Sequence, residues 1–153
     1  FVIANDPEIY AECGIPVRTD MLPGHGPLSG LHTALLAANS VQVLVLGGDM
    51  PFVTTGFLKF LLEQGRGVEL GIPYSTRGYQ PLCASYQRTC AAAVERQINS
   101  KTLRMGELIH HVDTQTLSRN DIAPFDPDGT LFFNVNTSAD YARALGLGAY
   151  YDS

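Results

Sequence analysis

Val43-Leu44-Val45-Leu46-Gly47-Gly48-Asp49-Met50-Pro51-Phe52 is a short aliphatic run that breaks at two glycines and delivers one aspartate. An unbroken run of this kind, bounded by Gly and Pro, reads as a buried strand of a parallel sheet. In open parallel sheets, ligands sit in the crevice outside the carboxyl ends of the strands. Asp49 stands at that end. The glycines let a backbone or a phosphate approach closely, and Pro51 fixes the turn that follows. A lone carboxylate there suits a hard divalent cation such as Mg²⁺, which takes oxygen ligands and bridges phosphates. The plainer role for Asp49 is a cap on the next helix. The residues around it favour the ligand.

Working outward, Phe1 to Asn5 reads as the interior and end of a strand, and Pro7 to Glu12 as a short helix ended by Gly14. Ile15 to Thr19 is a brief extended piece that terminates at Asp20. After a Gly/Pro loop, Leu28 to Ala38 makes a helix with Leu28, Leu31, Leu35 and Ala38 on one face. Beyond the Val41–Leu46 strand, Thr54 or Thr55 caps a helix carrying Phe57, Leu58, Leu61 and Leu62. Val68 to Tyr74 reads as a strand, Ser75 to Gly78 as a turn, and Pro81 to Tyr86 as a returning, antiparallel partner. Helices are expected over Arg88 to Ile98, Arg104 to His110 and Ser138 to Leu145. A strand is expected over Leu131 to Val135, and a polar, proline-containing loop over Ser118 to Gly129. Strands alternating with helices at this spacing predict an α/β fold in one domain.

The 153 residues are 45% hydrophobic and 16% charged, with a net charge of −5, which suits one domain with a real core. That charge argues against a nucleic-acid groove or an anionic membrane surface as the main partner. It leaves room for a phosphorylated small molecule held by backbone amides, a few arginines and a metal. Cys13, Cys83 and Cys90 are odd in number and lack CxxC spacing, which predicts packed, reduced thiols in a cytoplasmic setting. No apolar run approaches the ~20 residues that span a bilayer.

Asn5, Asp20 and Asp49 each follow a predicted strand, where such a sheet places its site. Asn5 offers donor and acceptor to a base edge or ribose, and Asp20 accepts only. Each taken singly is also a common turn former. The Pro23–Leu31 segment is glycine-rich and leads into a helix, but it is neither GxGxxG nor a Walker loop. His25 and His32 do not read as a metal pair, and His32 is expected on the helix surface. Asn134 and Asn136 alternate along the last predicted strand or its exit, and Thr137 or Ser138 can cap the helix beyond.

The order Asn5, Asp20, Gly-Pro-Leu-Ser-Gly-Leu (26–31), Gly-Asp-Met-Pro-Phe (48–52), Gln80-Pro81-Leu82 and Asn134-Val135-Asn136-Thr137-Ser138-Ala139-Asp140 resembles the molybdenum cofactor guanylyltransferases. The likeness runs along essentially the whole chain. It implies a Rossmann-like three-layer nucleotidyltransferase fold with a mostly parallel sheet, and transfer of GMP from GTP to molybdenum–molybdopterin. It also implies that Asp49 binds Mg²⁺ and the nucleotide phosphates as the catalytic carboxylate, and that Asn5 and Asp20 contact the nucleotide. Asn134, Asn136 and Pro81 would then lie on the pterin side. The implied partners are GTP, molybdenum–molybdopterin and, transiently, molybdenum-cofactor enzymes or chaperones, all in the cytoplasm.

Two features depart from the family pattern. Gly48 stands where a cysteine is common. The family's opening strand and glycine-rich loop, of the form GGxSxRMGxDK, has no counterpart, and the only lysines are Lys59 and Lys101. About one βα unit, roughly 30 residues, is therefore expected ahead of Phe1, and residues 1–153 alone are expected to be inactive. Cytidylyl or sugar-phosphate transfer on the same fold, and a non-catalytic remnant that binds pterin or nucleotide, are the alternatives.

Overall fold

The computed structural model describes residues 1–148. Its first strands, β1 (Val2–Ile3) and β2 (Val17–Arg18), pair in parallel as a two-stranded ribbon. Between them Pro7–Cys13 forms a 3-10 turn, capped by Asp6 and ended by Gly14 at φ 64°. Helix α1 (Pro27–Ala37) leads into β3 (Gln42–Leu46), and α2 (Thr55–Gln64) leads into β4 (Leu70–Ser75). A tight turn joins β4 to β5 (Gly78–Tyr79), followed by β6 (Cys83–Gln87) and α3 (Cys90–Asn99). Then come β7 (Thr114–Leu117), the single-turn α4 (Arg119–Ile122) and α5 (Ser138–Gly148).

The larger sheet runs β3-β6-β4-β7, with β5 folded back on the end of β4. β6 is antiparallel to both β3 and β4, whereas β4 and β7 are parallel. Thus β3, β4 and β7 share one direction, and their carboxyl ends lie at one edge. The antiparallel return of Pro81–Tyr86 is where the sequence placed it, starting at Cys83.

The period-two alternation of the strands explains the layers. Val43, Leu70, Ile72, Ala84 and Tyr86 face a core shared with Leu28, Leu31 and Leu35 of α1 and Val94 and Ile98 of α3. Cys83 and Leu117 face the opposite core, built with Phe57 and Leu61 of α2, Met50, Leu131 and Phe132. Helices on both faces of one sheet make the three-layer α/β arrangement. The α2 end sits unusually close to the sheet: a Cβ on Gly71 would lie 2.9 Å from Gly65 Cα. Thr54 is the residue that caps α2, its Oγ1 accepting from Phe57 N at 3.2 Å.

Five points differ from the reading of the sequence. Leu131–Val135 is not a strand: it is a turn and a coil whose Phe132 and Phe133 are buried as packing groups. Strand β7 was not anticipated, because Thr114-Gln115-Thr116 reads as polar; its partner β4 supplies the apolar context. The 104–110 helix is a 3-10 turn over Met105–His110, and the 118–129 loop contains α4. His32 is buried rather than on the surface, with Nδ1 lacking a hydrogen-bond partner among the described residues.

Candidate functional site at the carboxyl ends of the strands

Asp49 sits just past β3, on a loop tied down at both sides. Gly47 N donates to Leu82 O at 2.6 Å, and Val135 N donates to Asp49 O at 2.8 Å. The carboxylate leans over Gly47, where a Cβ would lie 2.7 Å from Asp49 Oδ1. A larger residue there would have to turn the carboxylate out of this position.

Asn134 Nδ2 donates to Asp49 Oδ2 at 2.9 Å, joining residues 85 positions apart. This pairing explains why residues 131–136 are not a strand: the segment crosses the sheet edge to reach the Asp49 loop. Phe133 is fixed next to it by Phe52, ring centroids 6.0 Å apart. One carboxylate and one amide give hard oxygen donors. They fit Mg²⁺, which is commonly held by one or two carboxylates with waters and substrate phosphates. Among the described residues, no group of three or more His, Cys, Asp or Glu could form a protein-only metal cage.

Asp20 follows β2 and faces the start of α1. Its Oδ1 is buried without a hydrogen-bond partner, and a Cβ on Gly30 would come within 3.9 Å of it. A buried acceptor left unpaired is costly and calls for a donor from a ligand or an ordered water. The loop after Asp20 is held by hydroxyls of α1. Thr33 Oγ1 accepts from Met21 N at 2.9 Å, while Ser29 Oγ donates to Leu22 O and accepts from His25 N. The glycine-rich 24–30 segment is therefore a shaped loop.

Asn5 is exposed just after β1. Pro81 is half-buried, and its carbonyl accepts from Tyr86 Oη at 2.8 Å, so its part is backbone shape. Asn136 is exposed, and its backbone N–H donates to Asp140 Oδ2 at 3.2 Å. Asp140 is the cap of α5, taking Thr137 N and Oγ1 at 2.9 and 2.8 Å. The structure thus joins Asp49 and Asn134 directly and leaves Asn136 in the neighbouring cap. Sequence reasoning passed over Arg77, Arg119 and Arg143, which border a cavity of about 290 Å³ beside Phe133. The available signal was position: Arg77 and Arg119 each follow the carboxyl end of a strand.

A three-layer sheet with a carboxylate–amide pair and an unpaired buried acceptor at strand ends defines an α/β domain that binds ligands across that edge. The chain belongs to the MobA-like NTP transferase domain family, which matches residues 1–114. A probable molybdenum cofactor guanylyltransferase of Clostridium perfringens (strain SM101 / Type A) is 37% identical over 145 residues, covering 92% of this chain and 72% of the relative. One from Pelotomaculum thermopropionicum is 31% identical over 131 residues, 86% of this chain and 64% of the relative. The chain spans about two thirds of the length of such relatives. Among solved structures, molybdopterin-guanine dinucleotide biosynthesis protein A from Archaeoglobus fulgidus matches 97% of this chain and 77% of its own, with a TM-score of 0.83 and 25% identity.

Proposed function

We propose that this chain serves a Mg²⁺-dependent nucleotidyl transfer that moves GMP from GTP to molybdenum–molybdopterin. The observation that carries the reading is the Asp49–Asn134 pair at 2.9 Å, placed at the end of β3 in a chain of this family. A phosphate oxygen of the acceptor attacks the α-phosphorus of GTP, the bond to the β-phosphate oxygen breaks, and pyrophosphate leaves. Such chemistry needs positioning and charge neutralisation rather than a covalent nucleophile. Asp49, with the Asn134 oxygen beside it, would hold Mg²⁺, whose bound charge offsets that of the phosphates.

Asp20 supports the guanine choice. Its unpaired Oδ1 is an acceptor, and the guanine edge offers adjacent N–H donors. A site that buries an acceptor discriminates strongly against a ligand lacking the donor. The buried, unbridged Cys83 and Cys90 accord with a reducing, cytoplasmic compartment.

Two measurements on the intact protein test the reading. Asp49→Asn is expected to abolish transfer while circular dichroism stays that of the parent, and near-parental turnover would remove Asp49 from the chemistry. Calorimetric titration is expected to show GTP bound well ahead of ATP and CTP. Equal affinities would leave the fold without the guanylyl specificity, and a preference for CTP would make it a cytidylyltransferase.

A further inference from the structure

Asp20 ends a strand that cannot hold it in place. β2 has two residues and, among the described residues, pairs only with the equally short β1; neither strand has a buried residue. Past Asp20 the chain enters residues 21–26, which form no helix or strand and include Gly24 at φ 93° and Gly26 at φ 60°. Glycines give such a segment many backbone states to choose from. Whatever fixes the Asp20 carboxylate must come from outside the ribbon and the loop.

Helix α1 supplies it. Ser29 and Thr33 are four residues apart and Gly30 is three from Thr33, so the three share one face of the helix. Ser29 and Thr33 are both buried. Thr33 Oγ1 accepts from Met21 N at 2.9 Å, the first amide after Asp20. Ser29 Oγ accepts from His25 N at 3.2 Å and donates to Leu22 O. Gly26 caps α1 without a side-chain hydrogen bond, and Ser29, at the third helical position, reaches back in its place. At Gly30 the helix passes beneath Asp20 itself: a Cβ there would stand 3.9 Å from Asp20 Oδ1 and 4.0 Å from Ile3 Cγ2.

The helix has no need of these hydroxyls. Alanine is the better helix former, and it buries no polar group. What alanine lacks is a grip on the loop. Both hydroxyls spend their bonds on main-chain groups between Met21 and His25, and a chain path fixed at Met21 also sets the direction in which the preceding residue projects. Asp20 Oδ1 has no protein partner, so its place follows from the backbone that carries it. An acceptor held still is left unpaired by the wrong base, whereas one free to turn toward solvent tolerates it.

We propose that Ser29 and Thr33 are positioning residues for base selection. Their hydroxyls hold the main chain of residues 21–25, and that path fixes the Asp20 carboxylate where it meets the donors of the base. This deepens the reading of Asp20 as a nucleotide contact and rests on it.

The test is calorimetric titration of the intact protein with GTP and, separately, with ATP, alongside melting temperatures. Thr33→Val keeps the shape and removes the acceptor, Thr33→Ser keeps the acceptor and removes a methyl, and Ser29→Ala removes the hydroxyl. Thr33→Val and Ser29→Ala are each expected to raise the Kd for GTP about tenfold, the scale of one lost hydrogen bond, and to leave that for ATP nearly unchanged. Thr33→Ser is expected to keep the parent's preference for GTP. A merely structural role would weaken both nucleotides alike, with Thr33→Ser as damaging as Thr33→Val, and that result would overturn the proposal. An undiminished preference for GTP in Thr33→Val would overturn it too, while leaving Asp20 as a base contact. If Ser29→Ala does not fold, the two Thr33 variants decide. A parent protein with no preference for GTP would instead remove the reading of Asp20 itself, and this proposal with it.

Discussion

At Gly47 a single methyl group decides where a carboxylate points. A Cβ there would lie 2.7 Å from Asp49 Oδ1, with Leu82 Cβ at 3.5 Å behind it. The closest atom is the end of a side chain that can rotate, so the fold can absorb the methyl by turning Asp49 away. Gly47→Ala is therefore expected to leave the melting temperature nearly unchanged while turnover falls by about two orders of magnitude, the cost of an ångström-scale misplacement of a reacting group. A melting-temperature loss as large as that of a core truncation, with normal turnover per folded molecule, would show that Gly47 serves packing alone. The cysteines give the opposite case. Burial pushes the Cys83 and Cys90 thiols up to about 12, so both are inert packing groups.

Among the elements, α5 depends most on local chemistry, since none of its described residues is buried. Its start is held by the Thr137–Asp140 box: Asp140 N donates to Thr137 Oγ1 at 3.1 Å, and Asp140 Oδ2 returns the contact. The Thr137 hydroxyl first, then the Asn136 N–H, hold the Asp140 carboxyl below its ordinary value of 3.8. A depressed folded-state value means the stabilisation is complete above the unfolded value and is lost as pH falls through the folded one. The start of α5, and with it the segment carrying Asn134 and Arg143, is expected to fray on acidification below about pH 4. Amide chemical shifts at Asn136 to Tyr141 followed from pH 7 to 3 check this. Thr137→Ala is expected to bring the same fraying to neutral pH and to lower the melting temperature by about 2–4 °C. Shifts that stay constant down to pH 3 would separate the cap from the helix.

Across the whole molecule, order concentrates where two cores grip one sheet. The β3–β6 ladder has five residue pairs and buried groups on both faces. The β1–β2 ribbon has two pairs and no buried residue, and the intervening 3-10 turn has none either. Local stability follows buried contacts. Hydrogen exchange of this chain is expected to show the slowest amides in β3, β6 and β4 and rapid exchange in β1, β2 and the Pro7–Cys13 turn. Protection of Val2 and Ala4 equal to that of β3 would mean that the ribbon unfolds only with the sheet. Asn5 and Asp20 follow the two ribbon strands, so the base-recognising side of the proposed site rides on the softest part of the described fold.

Local pattern in the sequence determined what period and turn chemistry can encode. The Val43–Leu46 run, the apolar face of α1, the Thr54 cap and the returning strand at Cys83 all follow from near neighbours in the chain. So did the strand-end positions of Asn5, Asp20 and Asp49, because a strand that breaks at a polar residue announces its own carboxyl end. Tertiary structure alone decided the rest. Leu131–Val135 has the composition of a strand, yet Phe132 and Phe133 spend their apolar surface in cores rather than in a ladder, and Asn134 spends its amide on a carboxylate 85 residues away. Thr114–Leu117 lacks an apolar pattern and becomes a strand because β4 offers it an edge. The arginine cavity arises because β4 and β7 are parallel neighbours. Partner strands and long-range hydrogen bonds are set by which surfaces meet in the folded chain, and no window of consecutive residues contains that information.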